Sequence, residues 1–142
     1  MSEQSPITKA VRAGINTDPV FGAVVPPVQL SSTFTFSGFD ERREHVYSRS
    51  SNPTRDLLGK AIADLESGYD GLITSSGTGA CLVCVEALVP AGGTLLAPFD
   101  CYGGSWRLFD AKARKGQFQL RLTDFSDEQA WRAALADRPA VV

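Results

Sequence analysis

From residue 71 onward the sequence alternates short apolar runs with helical patterns, and this alternation most narrows what the chain can fold into. Gly71-Leu72-Ile73 and Thr94-Leu95-Leu96-Ala97-Pro98 read as buried strands, and Phe118 to Leu122 alternates as a third. Between and after them lie three helical patterns. The first is the apolar run Cys81 to Val89. The second runs from Ser105 to about Lys115 and is stopped by Gly116. The third starts at the capping-box sequence Ser126-Asp127-Glu128-Gln129 and reaches about Ala136. Three strand–helix units predict a parallel sheet with right-handed crossovers and helices on both faces. The expected class is α/β. Ala140-Val141-Val142 begins a fourth apolar run, too short for a finished parallel sheet, so the sequence reads as cut in mid-domain.

Ligands of open parallel sheets bind beyond the carboxyl ends of the strands. Two loops are expected there. One is Thr74-Ser75-Ser76-Gly77-Thr78-Gly79-Ala80, where a strand turns through small residues into a helix. Such a turn presents unpaired N–H groups and the positive end of the helix to a phosphate or other anion. It is equally what a merely tight turn looks like. The other loop is Phe99-Asp100-Cys101-Tyr102-Gly103-Gly104. Its Tyr102 either faces a ligand, as stacking platform or hydroxyl donor, or packs at the sheet edge.

Residues 1 to about 50 show no domain pattern. Ile7 to Gly14 is one short helix with a glycine stop. Pro26-Pro27 forbids a helix and weakens any central strand. Val24, Val25, Val28, Phe34, Phe36 and Phe39 need a surface to cover, in this chain or in a neighbouring subunit. The stretch reads as an extended arm, residues 1–53, ahead of a sheet domain, residues 54–142. Tyr47 and Arg49, two apart in an extended piece, project to one side. They form either a clamp for a phosphate or carboxylate, or a surface arginine packed on a tyrosine. Thr54 is read as the cap of a helix carrying Leu57, Leu58, Ala61, Ile62 and Leu65, ended by Gly68.

Composition excludes several classes. A net charge of −2 gives no reason to expect nucleic acid or an acidic membrane surface as partner. No apolar run is long enough to span a bilayer, and the polar N-terminus lacks a secretory core, so a cytoplasmic location is expected. The three cysteines make no disulfide framework. Cys81 and Cys84 sit inside a helical run, without a second pair for zinc, and read as small packed residues. His45, the single histidine, reads as a solvated loop side chain. No metal site is expected.

Four stretches then converge on one family. Val25-Pro26-Pro27-Val28-Gln29-Leu30-Ser31-Ser32-Thr33-Phe34, Tyr47-Ser48-Arg49-Ser50-Ser51-Asn52-Pro53-Thr54-Arg55, Ser76-Gly77-Thr78-Gly79-Ala80 and Asp100-Cys101-Tyr102-Gly103-Gly104-Ser105 match in order and spacing. Together they resemble the cystathionine γ-synthase/γ-lyase group, the trans-sulfuration family of fold-type I pyridoxal 5′-phosphate (PLP) enzymes. Phe99 to Asp110 looks most like the bacterial γ-synthases of that group, which replace the acyl group of O-succinylhomoserine by cysteine to give cystathionine.

The resemblance implies a truncated PLP-dependent transferase-like large domain. It implies PLP as cofactor, amino-acid substrates, and a homotetramer built as a dimer of dimers. Tyr47 and Arg49 would reach the PLP phosphate of the adjacent subunit. The amides of Gly77 and Thr78 would hold the phosphate. Tyr102 would stack on the pyridine ring and help proton transfer, and Arg107 would steer the substrate's distal carboxylate. Thr78 stands where the family commonly has methionine, and Val46 where some γ-synthases have an acidic residue. The Schiff-base lysine, the aspartate on the ring nitrogen and the arginine for the α-carboxylate all lie beyond residue 142. Lys9, Lys60, Lys112 and Lys115 match no such position and are expected in solvated segments. The 142 residues are therefore expected to be inactive alone. Sister activities (γ-lyase, β-lyase or O-acylhomoserine sulfhydrylase) are the nearest alternatives, and a non-catalytic assembly module is a more distant one.

Overall fold

A computed structural model describes residues 5–16 and 18–142. Packing groups them into two units, one ending at Ile73 and the other beginning at Thr74.

The second unit is the α/β part. It contains α3 (Gly77–Leu88), β1 (Thr94–Pro98), α4 (Gly103–Arg114), β2 (Gln119–Thr123) and α5 (Glu128–Ala136). Strands β1 and β2 are parallel, in a register running from Thr94 opposite Gln119 to Pro98 opposite Thr123. On its other edge β1 receives Val141 in a parallel bridge to Leu95, with the Leu96 amide 2.9 Å from the Val141 carbonyl. β1 is thus the middle of three extended segments, which is why Leu95, Leu96 and Ala97 are all buried.

Side chains alternate across β1. Leu95 and Ala97 join Val85 of α3, Phe109 of α4 and Phe118 in the core, with Cys81, Val89, Leu108 and Val141 packed around it. Leu96 points the other way and meets Phe125, Trp131 and Leu135 around a hollow of about 430 Å³. Helices therefore cover both faces, as the alternation predicts. The N-cap of α5 is Asp127, which accepts from the amides of Gln129 and Ala130, one residue later than the capping-box reading starts. Ser126 is instead bound to the Asp124 carboxylate by its amide and hydroxyl.

Gly71-Leu72-Ile73 is not a strand. Its apolar side chains suit one, but no described segment pairs with its backbone, and Leu72 is exposed. Strand character needs a hydrogen-bonded neighbour as well as a pattern.

The first unit holds α1 (Pro6–Arg12), a long irregular arm and α2 (Pro53–Leu65). Ser5 caps α1, and Gly14, at φ +72°, follows its end. The cap of α2 is Asn52, with Pro53 in the first turn, and not Thr54. An asparagine ahead of a proline is a standard helix start, because the ring supplies helical φ and the missing N–H is not needed there. The Thr54 hydroxyl is occupied in tying down the arm, accepting from the Gln29 amide at 2.8 Å. Beneath the arm, α2 meets the backbone of Gly71: a Cβ built on Gly59 would stand 2.1 Å from the Gly71 carbonyl oxygen. Much of the arm's apolar surface stays uncovered, with Val25, Leu30 and Phe39 strongly exposed.

Candidate functional site

At the start of α3 the local chemistry follows from two hydroxyls, those of Thr74 and Ser76, and two glycines. The Thr74 hydroxyl donates to the Ser76 carbonyl at 2.8 Å, and the Ser76 hydroxyl accepts from the Gly79 amide at 3.0 Å. Gly79 is crowded: a Cβ there would lie 3.1 Å from Ser76 Oγ. Gly77 is the opposite case, with open space where its Cβ would be. Ser76 caps Gly79, and the amides of Gly77 and Thr78 have no acceptor among the described residues. Both residues are exposed, at the positive end of a 12-residue helix.

The start of α4 is arranged differently. Its cap residue, Tyr102, makes no side-chain capping bond. The ring lies against Gly104 instead, where an added Cβ would come within 2.4 Å of Tyr102 Cε1. Tyr102 is 74% exposed, so one side of the ring rests on glycine and much of the residue stays open to solvent. The guanidinium of Arg107 folds back to the same turn, with Nη1 3.6 Å from the Cβ position of Gly103. No described carboxylate pairs with it.

Two contacts relate these helices. The Ser105 hydroxyl lies 3.9 Å from Cys81 Sγ in their early turns, and Lys112 binds Glu86 further along. The helices therefore run parallel. Since α4 follows β1 directly, both helix starts lie beyond the carboxyl end of that strand. Gly77, Thr78, Tyr102 and Arg107 are thus gathered at one end of this unit.

Tyr47 and Arg49 belong to the first unit, where they meet each other. The Arg49 guanidinium sits over the Tyr47 ring, 5.0 Å from its centroid. The extended piece expected here is a turn over residues 48–50, entered by a bridge between Tyr47 and Thr33. Serine-rich sequence allowed either. The turn is selected because the Ser50 and Ser51 amides both reach the Tyr47 carbonyl, at 3.0 and 3.1 Å. Neither the Tyr47 hydroxyl nor the Arg49 guanidinium has a hydrogen-bond or ion-pair partner among the described residues.

Three further expectations need correction. His45 is not solvated: its side chain is 17% exposed, stacked obliquely on Phe34, with Nδ1 3.1 Å from Ser51 Oγ and 3.7 Å from Asp56 Oδ2. Cys81 is packed as expected, but Cys84 is exposed, because the core face of α3 runs through Cys81, Val85 and Val89. Lys112 is not solvated either; Glu86 and Gln117 hold it. Sequence reading missed Gly104 as the support of Tyr102. The Gly103-Gly104 pair beside an aromatic residue was the available signal. Among the described residues no group of His, Cys, Asp and Glu is placed to hold a metal ion.

A family model described as Cys/Met metabolism PLP-dependent enzyme matches residues 7–142. The chain belongs to that family. Cystathionine gamma-synthase of Escherichia coli (strain K12) is 49% identical over 135 residues, which is 95% of this chain and 35% of that protein. Cystathionine beta-lyase of Lactococcus lactis subsp. cremoris (strain MG1363) is 38% identical over the same shares. The crystal structure of cystathionine gamma synthase from Xanthomonas oryzae pv. oryzae in complex with cystathionine superposes at TM-score 0.91 with 51% identity. That match covers 97% of this chain and 36% of the other. The chain thus spans about a third of the length of these relatives. The Cys/Met metabolism family is PLP-dependent, and the donors here suit that cofactor's phosphate. Phosphate oxygens accept hydrogen bonds, and the groups of the α3/α4 opening without partners among the described residues, the Gly77 and Thr78 amides, the Tyr102 hydroxyl and the Arg107 guanidinium, can all donate them.

Proposed function

We propose that this chain is the phosphate-gripping and ring-stacking part of a PLP-dependent γ-synthase, which replaces the acyl group of O-succinylhomoserine by cysteine. The observation that carries the reading is the common opening of α3 and α4, with free amides on one helix and an outward tyrosine ring on the other. PLP, when bound, supplies an electron sink to the amino-acid substrate. The chain's own residues do the rest of the work assigned to this part. Gly77 and Thr78 hold the phosphate by their amides. Tyr102 offers a stacking face and a hydroxyl able to move a proton. Arg107, a cation without a carboxylate partner at that opening, orients a substrate's distal carboxylate. Tyr47 and Arg49 grip the phosphate of an adjacent subunit, in a cytoplasmic homotetramer whose subunits cover the exposed arm. Among the described residues no helix is long and apolar enough to cross a membrane. Residues 1–142 expressed by themselves should not turn over, since none of their lysines matches the family's Schiff-base position, and Lys112 and Lys115 stand at the far end of α4 from this opening.

The test is product analysis of the full-length protein with O-succinylhomoserine. Cystathionine should form only when cysteine is also present. Keto-acid release at a similar rate without cysteine would overturn the γ-synthase reading. A cystathionine β-lyase is the second reading, because relatives so named match the same stretch. Cleavage of added cystathionine would favour it.

A further inference from the structure

We infer that Arg55, in the first turn of α2, is a positioning residue for the grip made by Tyr47 and Arg49. This rests on the proposed phosphate-binding role of that pair. The residue between them, Ser48, is held at every polar group. Its amide donates to the Ser32 carbonyl at 2.9 Å. Its hydroxyl donates to the Ser31 carbonyl and receives Asn52 Nδ2 at 3.1 Å. Its carbonyl accepts from Arg55 Nη1 at 3.0 Å. Three of these bonds come from side chains, of which two, Asn52 and Arg55, belong to the α2 start. Asn52 is already committed, since its Oδ1 caps the helix and its Nδ2 also reaches the Gln29 carbonyl at 3.2 Å. Arg55 is the charged donor of the set, two-thirds covered, with Nε 3.7 Å from the Asp56 carboxylate.

The consequence is geometric. A turn whose central carbonyl is fixed to a helix holds still the backbone from which both flanking side chains project. Arg49 lies over the Tyr47 ring, and neither the phenol nor the guanidinium has a polar partner among the described residues. Without Arg55 the Ser48 carbonyl is free to turn to water, and the pair must be ordered when a phosphate arrives. Ordering lowers affinity without altering chemistry at the reacting atoms.

The experiment uses the full-length protein. Arg55→Met, Arg55→Lys, Arg49→Met and the Arg49→Met/Arg55→Met double variant are titrated as apoenzymes with PLP, followed by absorbance. Thermal melts of the same apoenzymes monitor folding. A charged hydrogen bond supports an expected loss of about tenfold in PLP affinity for Arg55→Met. Its kcat at saturating PLP should stay within about twofold, and Arg55→Lys, which can still reach the carbonyl, should recover most of the affinity. The double variant should be weaker than Arg49→Met by clearly less than the loss of Arg55→Met alone, since only the Tyr47 half of the grip is then left to position. Arg55→Met binding PLP like the parent, or losses that simply add in the double variant, would overturn the positioning role while leaving the grip intact. Arg49→Met binding PLP like the parent would overturn the grip itself, and the inference with it. If Arg55→Met melts early, the Arg55→Lys comparison and the cycle on the Arg49→Met background still decide.

Discussion

Gly104 shows how much a single hydrogen can matter. The Tyr102 ring occupies the space that any side chain at 104 would claim. In Gly104→Ala the nearest atoms belong to a rotatable ring, so the ring moves and the helix stays. The expected result is PLP binding weakened about two- to tenfold, from the ~0.5–1.5 kcal/mol of an aromatic stacking pair, with an unchanged melting temperature. Equilibrium titration and a thermal melt of the full-length variant check both halves. Asp18 makes a separate point about charge. Its carboxylate is held below the ordinary range chiefly by the Val20 amide, and also by those of Ala23 and Phe21, against a smaller opposing effect of burial. A carboxylate depressed in the folded state stabilises fully above its unfolded value, roughly pH 4, and loses that contribution as acid carries the pH down through the folded value. Carbon-detected NMR should therefore place the Asp18 midpoint below 3.8, and Asp18→Asn should weaken the pH dependence of exchange at those three amides.

At the level of elements, β1, β2, α4 and α5 were legible because pattern and punctuation agreed. Apolar runs lay between glycines, and acidic residues stood at a helix start. Gly71-Leu72-Ile73 misled because strand identity depends on a partner that no local pattern reveals. The α2 cap misled because two good capping residues, Asn52 and Thr54, compete, and the proline between them favours the first. The proposed site residues divided in the same way. In the first unit Tyr47 and Arg49 carried motif signals, as did Gly77, Thr78 and Tyr102 in the second, whereas the contacts of Arg55 with Ser48 and of Gly104 with Tyr102 exist only in the fold. Gly59 is a further example. An alanine in a helix interior usually stabilises by about 1 kcal/mol relative to glycine. Here the Cβ would press on a backbone carbonyl 2.1 Å away, and overpacking of that kind costs ~1–3 kcal/mol. Sterics win, so Gly59→Ala should lower the chemical-denaturation midpoint. A raised midpoint would show that the Gly71 segment is free to shift.

For the whole molecule, the distribution of apolar surface is informative. The arm leaves Val25, Leu30 and Phe39 open, and α3, apolar nearly all round, buries only Val85 fully while Val83 and Leu88 remain exposed. Helices of that composition are normally enclosed, which supports the proposal that further protein covers this surface. The side-by-side run of α3 and α4 has one more outcome. Two aligned peptide columns place like partial charges together at their shared start, with a guanidinium added beside them. That crowding costs stability until a counter-ion relieves it. Inorganic phosphate should therefore raise the melting temperature of the cofactor-free protein more than sodium chloride of equal ionic strength, by a margin that shrinks in Arg107→Ala. Equal shifts in the two salts would mean that the crowding is already relieved by water, and that this end of the fold is no better prepared for an anion than any other surface.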